Sequence, residues 1–192
     1  MKNTILILFS LITILVSCRS DKPLNKRFQK DIEKYTKAYN SRDWEKVILM
    51  IYPKLFDILP KQQMILYFML SESIGPRTVP EFDRIDSISD IIVSGDEKYC
   101  RIFYDGIIRY SITGDLISKN MDQLKKSYLD KYAAKNVQFN ERRHLIKIHV
   151  DKSMIAISNN NKNDWKYVEY AGNMKEMLLK IIPDEVHQKL GQ

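Results

Sequence analysis

The sequence predicts an α+β fold in which N-terminal helices pack on a strongly bent antiparallel sheet. Three observations predict it. Apolar residues recur at helical spacing from Phe28 to Met69, and Gly75-Pro76 then ends that pattern. Beyond it, Ile, Val, Tyr and Cys fall on alternate positions, the period of half-buried strands. A length of 192 residues fits one core, and a content of 44% hydrophobic and 10% aromatic residues is enough to fill it, which excludes a disordered chain. Two cysteines exclude a disulfide framework, and six glycines with six prolines exclude collagen-like or low-complexity architecture.

Ahead of these elements, Met1–Cys18 reads MKNTILILFSLITILVSC. Lys2 precedes an apolar run from Ile5 to Val16 that is broken by Ser10 and Thr13. The run is short of the roughly 20 residues that span a bilayer, so it reads as an export signal. Its end, Leu15-Val16-Ser17-Cys18, resembles the lipobox of bacterial lipoproteins, a Leu and two small or aliphatic residues followed by Cys. That resemblance implies cleavage after residue 17, fatty acylation (palmitate) of the Cys18 sulfur, and a chain anchored to a membrane of the cell envelope. Two or three acyl chains, at about 0.8 kcal/mol per buried methylene, hold a protein on a membrane where one does not. The organisation is then 1–17 signal peptide, 18–26 lipidated cysteine and polar tether, and 27–192 a single α+β domain. The other reading is an ordinary signal or an uncleaved anchor with an incidental cysteine. Cys100 reads as a buried, inert thiol, since a reactive one wants exposure and basic neighbours.

Phe28, Ile32, Tyr35 and Tyr39 are spaced 4, 3 and 4, one face of a helix over about 26–40. Asn40-Ser41-Arg42-Asp43 punctuates it, and Ser41 or Asp43 can cap a second helix marked by Trp44, Val47, Ile48 and Ile51. Pro53 interrupts that helix and suits the first turn of a restarted one. A third helix opens at Lys61 with Met64, Ile65, Phe68 and Met69 as its apolar set.

Residues 82–93 follow as a strand, and Ser94–Glu97 as a turn. From Cys100 to Ile112 the even positions read Cys, Ile, Tyr, Gly, Ile, Tyr, Ile. Asp105-Gly106 alone would signal a hairpin, but a hairpin there would put Arg109 on the face of Ile102 and Tyr104. One long strand, bent or bulged at Gly106 with its even face inward, avoids this. Thr113-Gly114-Asp115 closes it, and Met121, Leu124, Tyr128 and Tyr132 mark a helix over about 119–134. His144, Ile146, Ile148 and Val150 read as a strand that turns at Asp151-Lys152 and returns as Ser153–Ser158. An exposed loop at Asn159–Asn163, a strand at Trp165–Tyr170, a helix from Met174 to Ile182 and a terminal turn at Asp184–Leu190 complete the chain.

Tyr39-Asn40-Ser41-Arg42-Asp43-Trp44-Glu45-Lys46-Val47 resembles the opening of nuclear transport factor 2-like domains. Tyr52–Asp57 with Pro60–Met64, and the late Trp165–Tyr170, are similar to segments of small secreted bacterial members of that superfamily. The resemblance implies a cone, with helices across the concave side of the sheet and a cavity beneath them. A helix at 119–134 between strands departs from that pattern. The superfamily hosts dehydratases, isomerases, ligand carriers, interaction modules and immunity or inhibitor proteins, so the fold alone selects no activity.

The chemistry-bearing residues are few. Glycine-rich phosphate loops, HExxH and Gly-x-Ser-x-Gly are absent from the sequence. His144 and His149 have opposite parity, which removes a shared metal, and no cofactor is expected. His144 shares the apolar parity, so it can face the cone as a general base beside Asp86 or Asp90, or else be a strand-end histidine in solvent. Tyr104 and Tyr110 share the inward parity and can offer hydroxyls to a ligand or simply pack the core. These three form the candidate pocket. Asp83, Asp86 and Asp90 are spaced 3 and 4, but strand parity splits them.

A net charge of +7 concentrates in Lys119, Lys125, Lys126, Lys131, Lys135, Arg142, Arg143 and Lys147. For an exported chain that patch suits an anionic lipid surface, an acidic partner or plain solvent, and no nucleic acid is expected. The expected role is binding without catalysis, of a small apolar or amphipathic ligand in the cone or of a protein partner on the sheet. The alternatives are a cone-pocket dehydratase- or isomerase-like enzyme using His144, or an immunity or inhibitor protein. A homodimer through the sheet is open, as in many of the domains it resembles.

Overall fold

The structure is a computed structural model that describes residues 22–74, 76–111, 121–159, 164–171 and 174–191. The export signal, Cys18, the turn at Thr113–Asp115 and residues 160–163 of the expected loop lie outside the described residues.

Helix α1 (Lys22–Asn40) starts earlier than the periodicity suggested, so residues 22–26, expected as tether, belong to its first turns. Pro23 accounts for this: near a helix start its missing N–H costs nothing and its fixed φ is already helical. Phe28, Ile32, Tyr35 and Tyr39 share the inner side as their spacing requires, and Phe28 is fully buried with its ring edge-on to Trp165 at 5.1 Å. Of the two capping residues considered, Asp43 caps helix α2 (Trp44–Met50), accepting from the Lys46 backbone N–H at 3.2 Å and from Lys46 Nζ at 2.5 Å. Pro53 opens a 3-10 turn (Pro53–Asp57), and helix α3 (Lys61–Ile74) follows.

Among the described residues six strands form one antiparallel, strongly curled sheet, which makes the chain α+β as expected. They are β1 (Arg77–Ile88), β2 (Ile92–Ser94), β3 (Glu97–Ser111), β4 (Val137–Asn140), β5 (Leu145–Asn159) and β6 (Lys166–Glu169). Helix α4 (Met121–Lys131) connects β3 to β4, and α5 (Lys175–Ile181) and α6 (Asp184–Leu190) end the described chain. The spine is β3 with β5, paired from Glu97–Asn159 to Ser111–Leu145. On one side of this spine β1 and β2 pair with β3; on the other, β4 and β6 pair with β5.

The long strand through Asp105-Gly106 is present with its even face inward, but two expectations need correction. Asp151-Lys152 makes no turn: Asp151 pairs with Asp105 and Lys152 with Tyr104, inside a continuous β5. The polar dipeptide imitates a turn, yet the parity of Ile146, Ile148 and Val150 resumes after Lys152 with Met154 and Ala156. Nor does the bulge lie at Gly106. The register slips at Asp83 and Asp86, the unmatched residues of β1. An extra residue in an edge strand bends and twists the sheet there. Gly106 permits this by its size, because a Cβ on it would sit 2.8 Å from the Glu81 carbonyl oxygen.

Three apolar clusters hold these layers. Phe28, Ile32, Cys100, Ile102, Met154, Ala156, Trp165 and Tyr167 join α1 to the even face of the spine. Tyr99, Ile155 and Ile157 on the opposite face pack with Val47, Ile48, Leu55, Leu178, Ile182 and Val186, so β5 from Ser153 to Ser158 is buried on both sides. Ile108, Val137, Ile146, Ile148 and Val150 form the third cluster, with Leu124 and Tyr128 of α4 beside them. A helix between β3 and β4 is therefore the cover of the far half of the sheet. No helix among the described residues is long and apolar enough to cross a membrane.

Candidate functional site

The even face of the spine changes character halfway along. Between the cluster under α1 and the cluster under α4, Tyr104 lies opposite Lys152, whose Nζ donates to Glu169 Oε1 at 2.8 Å. Tyr35 of α1 faces the same region. Burial pushes the phenols of Tyr35 and Tyr104 well above the usual tyrosine range, and the Glu169 carboxylate adds to both shifts. These hydroxyls stay protonated at neutral pH. Phe82 lies next to Tyr104, with ring centroids 6.2 Å apart.

The even face under α1 is covered by the chain's own Phe28 and Ile32. A groove of about 690 Å³ opens to solvent at the seam of α1 and β1, lined by residues including Thr36, Asn40, Glu81 and Phe82. Asn40 ties the seam, donating from Nδ2 to the Pro80 carbonyl at 2.9 Å. Its buried Oδ1 has no hydrogen-bond partner among the described residues.

The three residues of the expected pocket do not meet. Tyr104 and Tyr110 share the inward face but are six residues apart on one strand, roughly 20 Å. Tyr110 belongs to the far cluster, its ring 4.9 Å from that of Tyr128, where burial also raises its pKa. His144 is not on the strand at all. It ends a 3-10 turn (Glu141–Arg143) with φ of +50°, exposed to solvent. The Asn140 side chain accepts from the Arg143 N–H and tightens that turn, so the parity counted back from Ile146 fails just before β5 begins. His144 therefore has no cone to face as a base. Asp83, Asp86 and Asp90 are all exposed, and no group of three or more metal-ligating side chains occurs among the described residues.

One polar cluster has no expectation behind it. Glu97 accepts from Tyr52 at 2.8 Å, from Tyr99 at 2.7 Å and from Lys54 Nζ at 2.9 Å. Burial alone would raise the Glu97 pKa, but the hydrogen bonds of Tyr99, Lys54 and Tyr52 outweigh it and hold the carboxyl below its usual value. A carboxylate with three donors is a brace, tying the 3-10 turn after α2 to the start of β3. Only Glu97 and Tyr99, two apart on one strand face, could have been linked from the sequence; Tyr52 and Lys54 arrive from more than forty residues away.

The remaining feature is the outer side of α3. Met64 and Phe68 face inward, whereas Leu66, Tyr67, Met69 and Leu70 are 47–66% exposed. Of the expected apolar set, Met64, Ile65 and Phe68 pack inward and Met69 turns outward. No charged residue occurs between Lys61 and Glu72. A helix that is apolar on its solvent side also is unusual for a surface element. Comparison with protein-family models, with curated proteins and with solved structures finds no match to this chain.

Proposed function

We propose that the chain is an exported bacterial lipoprotein, held on a cell-envelope membrane by acylated Cys18, whose single domain works by binding a protein partner and not by catalysis. The export signal and Leu15–Cys18 support the anchor. The outer face of α3 carries the binding half: Leu66 and Leu70 are one turn apart, flanked by Tyr67 and Met69, residue types enriched at protein interfaces. The curled sheet beneath N-terminal helices suits the nuclear transport factor 2-like resemblance, in which interaction modules and immunity or inhibitor proteins occur.

Two experiments test this. Mass spectrometry of the N-terminal peptide should find acyl chains on Cys18, and Cys18→Ala should release the protein from membranes. A photocrosslinker at Tyr67 should give one discrete adduct in the envelope, lost with Leu66→Glu. An adduct of twice the chain mass identifies a second copy as the partner, and absence of any adduct overturns the α3 reading.

A second reading has its own observation. The groove beside α1, with the unsatisfied Asn40 Oδ1, suits a small ligand that donates a hydrogen bond and covers Phe82. Asn40→Ala with unchanged ligand occupancy would sink it.

A further inference from the structure

Helix α1 carries a face that its packing does not use. Lys26, Lys30, Glu33 and Lys37 follow at intervals of 4, 3 and 4, opposite Phe28, Ile32, Tyr35 and Tyr39, and all four are exposed. Among the described residues, the ion pairs of α1 run from Arg27 and Lys34 to Asp31, and none involves Lys26, Lys30 or Lys37. Glu33 accepts from Gln29 Nε2 at 3.1 Å. The stripe holds three lysines against one carboxylate.

We infer that this face of α1 lies on the anionic phospholipid of the membrane that holds Cys18 and thereby fixes how the domain sits there. The inference rests on the lipoprotein reading. Only Arg19, Ser20 and Asp21 separate Cys18 from Lys22, the first residue of α1. Four Cα steps span at most about 14 Å, so the start of the helix cannot leave the vicinity of the acylated cysteine. Attraction to an anionic leaflet decays over about 8–10 Å at physiological salt. Tethered this closely, the first turns of the helix return again and again to that field, and the stripe can then settle along it, whereas a long tether would let the helix drift away.

The contact is electrostatic and superficial. An interfacial amphipathic helix sinks its apolar side into the lipid, but the apolar side of α1 is already consumed by the sheet.

The test uses the full lipidated chain in phosphatidylcholine vesicles with and without phosphatidylglycerol, with a nitroxide-headgroup lipid as quencher. A fluorophore is placed on Gln29→Cys, beside the stripe, or on Gln188→Cys, exposed on α6; Cys100 is fully buried and Cys18 carries lipid. With phosphatidylglycerol the Gln29 probe should be quenched more strongly than the Gln188 probe. That excess should vanish at about 1 M salt, where screening acts within about 3 Å. It should vanish too in a Lys26→Glu, Lys30→Glu, Lys37→Glu variant with an unchanged circular dichroism spectrum. Equal quenching with normal acylation of Cys18, or the same excess in phosphatidylcholine alone, overturns this inference and leaves the lipoprotein reading standing. A Cys18 peptide without acyl mass overturns both.

Discussion

The Tyr167 hydroxyl donates to the Asp31 carboxylate at 2.7 Å, a buried bond that joins the middle of α1 to β6 across 136 residues of sequence. Asp31 is 5% exposed, and Arg27 Nε donates to the same oxygen at 2.8 Å. A charged group so placed is tolerable only while its partners are present. Tyr167→Phe keeps the ring against Phe28 but removes one of the two donors to that buried oxygen. It should cost about 1.5–3 kcal/mol, measured by urea denaturation. An unchanged midpoint would mean that Arg27 alone suffices.

Gly106 sits where β1 slips its register, with the Glu81 carbonyl 2.8 Å from the place a Cβ would occupy. That neighbour is backbone and cannot swing aside. Gly106→Ala should therefore destabilise the sheet by about 1–3 kcal/mol, the range for overpacking a filled site. Gly95, with φ of +56° but open space around it, is the control. Gly95→Asn, a residue that tolerates that conformation, should cost far less.

The legible parts were those written in local periodicity. The three N-terminal helices, the parity of β3 and the helix between β3 and β4 all follow from repeated apolar spacing, which packing then satisfies. Asp151-Lys152 misled because its partners Tyr104 and Glu169 lie on other strands, and no local signal says that a polar pair will be held inside a sheet. His144 misled by one position, since parity holds only while the chain stays extended. The Glu97 brace was illegible for a similar reason: its donors converge through tertiary structure. The bend was anticipated at the right level of the sheet but in the wrong strand, because glycine marks where strands approach closely and bulges mark where they bend.

Seven tyrosines, at positions 35, 52, 99, 104, 110, 128 and 167, have pKa values raised above the ordinary 10, each chiefly through burial. For Tyr128 the value reaches about 12. The folded state keeps these phenols protonated while the unfolded state ionises near pH 10. Their contribution to stability is complete below pH 10 and is lost as pH rises through the folded values. The tyrosinate absorbance of these seven, out of eleven tyrosines, should therefore rise in one steep step together with loss of secondary structure. A gradual rise to the full absorbance of all eleven near pH 10 with the fold intact would show that these side chains are open to solvent.

Glu97 gives the opposite limb. Its folded pKa lies below the ordinary 4.5, so the stability it supplies is present above that value and is lost as pH falls through the folded one. Glu97→Gln keeps the shape but weakens the bonds from Tyr52, Tyr99 and Lys54 by removing the charge. At neutral pH the variant should be less stable by about 1–3 kcal/mol, the range for hydrogen bonds to a charged acceptor. As pH falls below 4.5 and through the folded value that gap should close, since the native carboxyl becomes neutral as well. Parallel denaturation curves for the two proteins across the acid range measure the gap directly. A gap that stays constant down to low pH would mean that the side chain is held by shape alone and that its charge does not brace the turn after α2 against β3.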